Sequence, residues 1–324
     1  MDKYKVKRIF FILLVVVLSA LASGCQSGNE TETSQAEKNE NVRVLITSDF
    51  GKAILKDEEL KYNADYSVLD YLENISEVET AYGGGFVNGI DGLRSGFTNQ
   101  KNKVKKDWFF YANGIFSHLG ALDYYPSPGE IVQWDYHLWE KSSSSSTLLS
   151  GFTEVFHSGY DGHKAHITIL YSEGFKDLGQ TLSEFLTSQG LELEVEEYTG
   201  KDDITLEGHT ILICPSEEML SSEYILPLLK TYKDRGLFIG VEDGQLMAFN
   251  EDYTRVSVID DEAFMYASQK VYAQSDTLFV LSGKEKAKVT EMLHAIIGDS
   301  NILMGKTSIL LKEDKVIALP LKEG

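Results

Sequence analysis

Positive charge is scarce in this chain. Lys and Arg number 30 against 50 Asp and Glu, for a formal net charge of -20. Binding of nucleic acid needs a basic face for the phosphates, so this balance argues against it; the acidity serves solubility. Cysteine is scarcer still, with two in all, Cys25 and Cys214. That is too few for the disulfide framework of a small exported protein. Cys214 stands in the apolar run "HTILICP" and reads as a buried, inert thiol. Phosphate-cradling and nucleophile-elbow motifs are missing too: GxGxxG, GxxxxGK and GxSxG do not occur. No nucleophile stands beside an activating base, so the sequence signals binding rather than catalysis.

What is present begins at the N-terminus. "MDKYKVKRIF" carries Lys3, Lys5, Lys7 and Arg8, and an apolar stretch from Ile9 to Ala22 follows. A basic start, a short apolar middle and small residues before a cut site read as an export signal. Ala22-Ser23-Gly24-Cys25 is similar to a bacterial lipoprotein box, with Leu21 one place earlier than usual. The expectation is a signal peptide over 1–24 and lipidation at Cys25, with a diacylated cysteine anchoring the chain at the extracytoplasmic face of the cell membrane. The competing reading, a membrane-spanning anchor, requires about 20 apolar residues, more than this run supplies. Cleavage before Cys25 removes four basic residues and one acid, leaving -23. "QSGNETETSQAEKNEN" then lacks the apolar residues of a core, so 25–40 reads as a disordered tether.

From Asn41 the pattern becomes globular. "VRVLITSD" alternates as a half-buried strand, and "DYSVLDYLENI" places Val68, Leu69, Leu72 and Ile75 at helical spacing behind Asp65 or Ser67 as cap. "DWFFYANGIFSHLG" is a hairpin with Asn113-Gly114 at its bend. One helix among several strands over 41–140 predicts an α+β layer. "KSSSSSTLLSG", 141–151, reads as a Ser-rich linker. Over 152–324 strands such as "HITILY", "HTILICP" and "TLFVLSG" alternate with helices such as "FKDLGQTLSEFLTSQG". That predicts an α/β domain with a mostly parallel sheet, flavodoxin-like or Rossmann-like, without a cofactor fingerprint.

Several smaller constellations carry weaker signals. His157, His163 and His166 with Asp161 nearby could bind zinc, yet their spacing matches no zinc signature and a polar loop is the plainer reading. Glu192, Glu194 and Glu196 alternate with apolar residues, as on a solvated strand face. Ser282-Gly283 between strand and helix could hold an anion, but such turns occur in any α/β fold.

Five segments in order carry a stronger signal: "SVLDYL" from Ser67, "FVNGIDGL" from Phe86, "WFFYANG" from Trp108, "GALDY" from Gly120 and "PGEIVQW" from Pro128. Together they resemble the C-terminal domain of the transcobalamin and intrinsic-factor family, over about Asn41 to Glu140. The resemblance implies a β-grasp-like sheet that binds a small ligand, with a corrinoid such as cobalamin as first choice, and lipidation implies a role beside a membrane importer. The α-helical barrel that completes the family's clamp has no counterpart segment in this chain. By position, the ligand contacts it implies are Trp108, Tyr111, Phe86, Asn88, Tyr124, Gly84 and Asn113. A flat, amide-edged ligand suits aromatic rings with backbone close by, and the run Gly83 to Gly85 permits such approach. On an extended strand Trp108 and Phe110 face one side, Phe109 and Tyr111 the other, so one pair can serve the core. A surface adhesion or protein-interaction module without a small-molecule ligand is the alternative, and an enzymatic second domain a third reading.

Overall fold

A computed structural model describes residues 40–99, 104–139, 147–205, 207–254, 256–270 and 275–321. The signal peptide, Cys25, the tether through residue 39 and residues 141–146 of the Ser-rich segment lie outside the described residues.

The first sheet has the order β2-β1-β9-β7-β6, with β8 pairing β7. Its strands are β1 (Asn41–Ser48), β2 (Ala53–Lys61), β6 (Gly96–Asn99), β7 (Val104–Ala112), β8 (Ile115–Phe116) and β9 (Ile131–Leu138). β1 and β9 run parallel; the other pairs are antiparallel. β2 closes one edge with Lys56, Asp57, Glu58, Glu59 and Lys61, charges that discourage pairing with another chain. Helix α1 (Val68–Glu73) crosses one face. Ser67 caps it: its hydroxyl accepts from the Asp70 amide, and the Asp70 carboxylate accepts from the Ser67 amide. The helix is shorter than the apolar spacing predicts, because the chain turns at Asn74. Val68, Leu69, Tyr71 and Leu72 are buried against Trp108, Phe110, Val132, Trp134 and Tyr136. A three-stranded sheet of β3 (Val78–Ala81), β4 (Phe86–Ile90) and β5 (Leu93–Arg94) flanks this layer.

The second large sheet has the order β11-β10-β12-β17-β16-β18-β19. β10 (Ile167–Tyr171), β11 (Glu194–Glu197), β12 (His209–Pro215) and β17 (Thr277–Gly283) are parallel. β16 (Ala263–Gln269), β18 (Ser308–Lys312) and β19 (Lys315–Leu319) extend the sheet antiparallel. The central strands are buried on both faces, between a layer with the helices Lys176–Ser188 and Lys286–Gly298 and a layer with the helix Ile225–Lys230. A small sheet, β13 (Ile239–Glu242), β14 (Gln245–Phe249) and β15 (Val256–Val258), completes the second layer. The described residues are thus mixed α/β with two large sheets and two small ones. β11 stands at a sheet edge with Glu194, Glu196 and Glu197 exposed, the solvated face expected from the sequence.

The free face of the first sheet packs into the rest of the chain. Asp49, Phe50 and Gly51 all have positive φ, and this tight bend delivers the Phe50 ring onto Phe238 at 4.8 Å. A Cβ on Gly51 would stand 1.6 Å from the Gly305 carbonyl oxygen, so only glycine fits there.

Candidate functional site

The aromatic strand β7 divides as its alternation predicts. Trp108 and Phe110 face α1, while Phe109 stacks on His137 at 4.3 Å on the opposite face. The expected contacts then separate. Tyr111 is fully buried, edge-on to Phe116. Asn113 is buried at the hairpin bend: its Nδ2 donates to Ser158 Oγ and to the Gly159 carbonyl, both at 2.7 Å, and its Oδ1 accepts from the Ile131 amide at 2.9 Å. Tyr124 is buried; its hydroxyl donates to Glu130 Oε1 at 2.5 Å and accepts from the Asp161 amide at 3.0 Å. Burial, the charge of Glu130 and the hydrogen bond to Glu130 all push the Tyr124 phenol up, against the pull of the Asp161 amide. These three side chains act as struts inside the protein. Removing the Asn113 amide strands its partners where water does not reach, so Asn113→Ala should lower the free energy of unfolding by about 2 kcal/mol, read by urea denaturation.

Trp108, Phe86 and the glycine bend do come together. They border a cleft of about 230 Å³ whose lining includes Phe86, Phe109, Phe116, Ala121, Trp134 and Trp139. Trp108 is held in place, its indole N–H donating to the Leu93 carbonyl at 2.9 Å. Phe86 is 36% exposed on the rim and Trp139 45%, with Lys105 Nζ 4.6 Å above the Trp139 ring. Gly84 sits beside the rim, its Cα facing Leu122. Asn88 is half-buried, and its carbonyl accepts from the Ser95 amide at 2.7 Å. Tyr82, Leu119 and Leu122 extend the exposed apolar surface, a patch of the kind that marks a contact site.

The cleft exists because β7 loses its outer neighbour midway. Gly96 pairs with Lys106, but Leu93 and Arg94 leave to pair with Ile90 and Gly89 of β4. The Ser95 hydroxyl, bonded to the Asp107 carboxylate, marks the departure. On the far side β8 pairs only with Tyr111 and Ala112. The Asn113 amide donates to Ile131, so odd-numbered residues here direct their backbone groups toward β9; the Ser117 amide donating to the Phe110 carbonyl confirms that even-numbered ones point to the open edge. The Trp108 amide is taken by its neighbour's Asp107 Oδ1 at 3.0 Å. The Trp108 carbonyl and the Phe110 amide remain without a partner among the described residues. Trp134, which lines the same cleft, keeps a buried indole N–H without a partner among the described residues. Sequence reasoning missed Phe109, Phe116, Trp134 and Trp139 as lining residues. The alternation gives their faces, whereas which strand edge stays open is decided by pairing far along the chain.

Elsewhere the chemistry is quiet. Burial pushes the Cys214 thiol up to about 12, and its sulfur lies 4.0 Å from Ser282 Oγ. His166 faces Glu194 at 3.2 Å, and His163 closes a tight turn with Tyr160. Among the described residues no group of three or more His, Cys, Asp or Glu is placed to hold a metal ion, and no helix is long and apolar enough to cross a membrane.

A family model described as a domain of unknown function, DUF4430, matches residues 65–138, the segment from α1 through β9 that builds the cleft. A solved protein of Ruminococcus gnavus, provisionally described as metal-binding, is 14% identical and covers 31% of this chain and 98% of its own, with a TM-score of 0.23. At that score the likeness carries no argument. No curated protein matches the sequence.

Proposed function

We propose that the chain is an extracytoplasmic binding protein, anchored through lipidated Cys25, whose cleft beside β7 engages a partner protein at the membrane surface. One observation carries this reading: the aromatic-rimmed cleft opens onto an unpaired strand edge. The corrinoid reading draws on the resemblance of the first layer, here taken as β-grasp-like, and on Trp108 and Phe86 at the cleft. Against it, Tyr111, Asn113 and Tyr124 are buried on protein partners. The cleft, about 230 Å³, is also smaller than the roughly 300–1,000 Å³ of ordinary small-molecule sites. The second half, with parallel order β11-β10-β12-β17 and taken as flavodoxin-like, then supports the first sheet from behind.

The test places a photoreactive p-benzoylphenylalanine at Leu119 on the rim or at Ile54 on the far edge strand of the full chain in intact cells. A partner adduct at Leu119 and none at Ile54 is the expected result. No adduct at Leu119 counts against the proposal. So does a saturable spectral change when the detergent-solubilised chain is titrated with cobalamin at tens of micromolar, on the order of a specific small-ligand affinity; that outcome restores the corrinoid reading.

A further inference from the structure

We infer that the occupant of the cleft is one stretch of extended peptide from that partner, added to the edge of β7 as a short parallel strand. The inference rests on the partner-binding reading above and names the chemistry that reading leaves open.

The argument starts from the two unpaired backbone groups. The Trp108 carbonyl and the Phe110 amide flank Phe109 and point to the same open edge. In a parallel ladder one residue donates its N–H to the carbonyl before its opposite number and accepts from the amide after it. Phe109 is therefore the opposite number, and a single guest residue satisfies both groups. An antiparallel guest would also reach both groups, through the residues on either side of the one opposite Phe109, but those same residues would set a carbonyl against the Trp108 amide and an amide against the Phe110 carbonyl, which are already bonded to Asp107 and Ser117. In the parallel guest the groups that face those occupied positions lie two residues away, at the ends of the short gap, so the parallel direction is the one that leaves the central residues unopposed.

The walls fit the same occupant. Residues opposite each other in a sheet share a face, so the guest side chain opposite Phe109 meets Phe116 and Trp139, while its two neighbours turn to the Phe86 and Ala121 side. A cleft that wraps round a strand edge with apolar groups on both faces suits alternating side chains, the arrangement by which strand addition gains specificity. β6 and β8 bound the gap, so the paired stretch is short. The net charge of -20 favours a guest that is neutral or basic at its ends.

The probe is the capped pentapeptide acetyl-Lys-Thr-Phe-Thr-Lys-amide, added to the full chain in detergent with its phenylalanines labelled with ¹⁵N. The Phe110 amide signal, assigned with the Phe110→Leu variant, reports directly on the edge. Saturable movement of that signal is expected, with slowed hydrogen exchange. N-methylation of the central Phe of the probe should weaken binding about tenfold, the loss of one hydrogen bond in a desolvated site. N-methylation of either Thr, whose N–H points away, should leave binding within a factor of about three. Testing on the probe side leaves the protein's own folding untouched. The inference fails if the Phe110 signal does not move at millimolar probe, or if all three methylated probes bind alike. Adducts at Leu119 alongside such a failure would keep the partner reading and discard the strand; absence of both would discard both.

Discussion

Asp135→Ala should cost about 3–5 kcal/mol of stability, the range for leaving buried polar partners uncompensated. Asp135 is fully buried and collects donors from several parts of the chain. Its Oδ1 accepts from Thr47 Oγ1 at 2.5 Å and from the Gly51 amide at 3.0 Å; its Oδ2 accepts from the Phe50 amide at 3.0 Å and lies 2.5 Å from His137 Nδ1. Burial alone pushes the carboxyl up, but His137, Thr47 and the Gly51 amide outweigh it and hold it below the ordinary carboxylate range. Two of these donors belong to the bend in which Asp49, Phe50 and Gly51 take positive φ, a conformation non-glycine residues adopt only when something fixes it. Without the carboxylate the bend loses its clamp, Phe50 loses its purchase on Phe238, and His137, held between Phe50 and Phe109, loses its orienting partner. Urea unfolding of wild type and variant at neutral pH measures the difference. A loss below about 1 kcal/mol, the worth of one ordinary hydrogen bond, would mean that water replaces the carboxylate and that the cluster does not hold the bend.

Local rules made much of the architecture legible. The Ser67 cap, the Asn113-Gly114 bend with φ of 46° and 75°, and the stop at Gly190 with φ of 84° each rest on residues a few positions apart. So does the acidic edge strand β11. The antiparallel insertion of β16 between β17 and β18 was not legible, because all its residues are buried. An apolar run without alternation states neither its neighbours nor its direction. β14 and β15 escaped notice for a related reason: they are short and gain their pairing from β13.

The candidate site was half legible on the same grounds. Alternation gave the faces of Trp108, Phe109, Phe110 and Tyr111, and the resemblance drew attention to Phe86 and the glycine bend. Whether a ring meets solvent depends on remote partners. Tyr124 sits before a proline turn and looks exposed in sequence, yet Glu130 accepts a hydrogen bond from its hydroxyl and Asp161, 37 residues away, donates to its oxygen. The open edge arises because β5 pairs with β4 instead of continuing along β7, a competition between strands that no single stretch records.

Glu130 turns that strut into a pH-dependent one. Its carboxylate accepts from the Tyr124 hydroxyl and, at 2.5 Å, from the Ser127 amide. Burial pushes its titration up to about 7 from an ordinary 4.5; the Tyr124 and Ser127 donors pull against burial, and the charge of Asp161 adds to it. Between those values the folded chain binds the proton and the unfolded chain releases it, so stability falls as pH rises across that window. A difference of this size corresponds to about 3 kcal/mol. Glu154, raised to about 6 by burial against the pull of Arg43, tilts the same way. His209, lowered to about 4 by burial, tilts the other way, since its neutral folded form gives stability that grows as pH rises toward 6.5. The net curve of the wild type mixes these slopes, but a comparison with Glu130→Gln cancels what both chains share. Glutamine resembles the protonated acid, so the variant should differ little from wild type at about pH 5 and gain on it by about 3 kcal/mol by about pH 8. Urea unfolding at both pH values supplies the double difference. A gap between the two chains that stays constant with pH would show that Glu130 titrates near its ordinary value, which requires water at the Tyr124 strut and an opening beside it that the buried geometry denies.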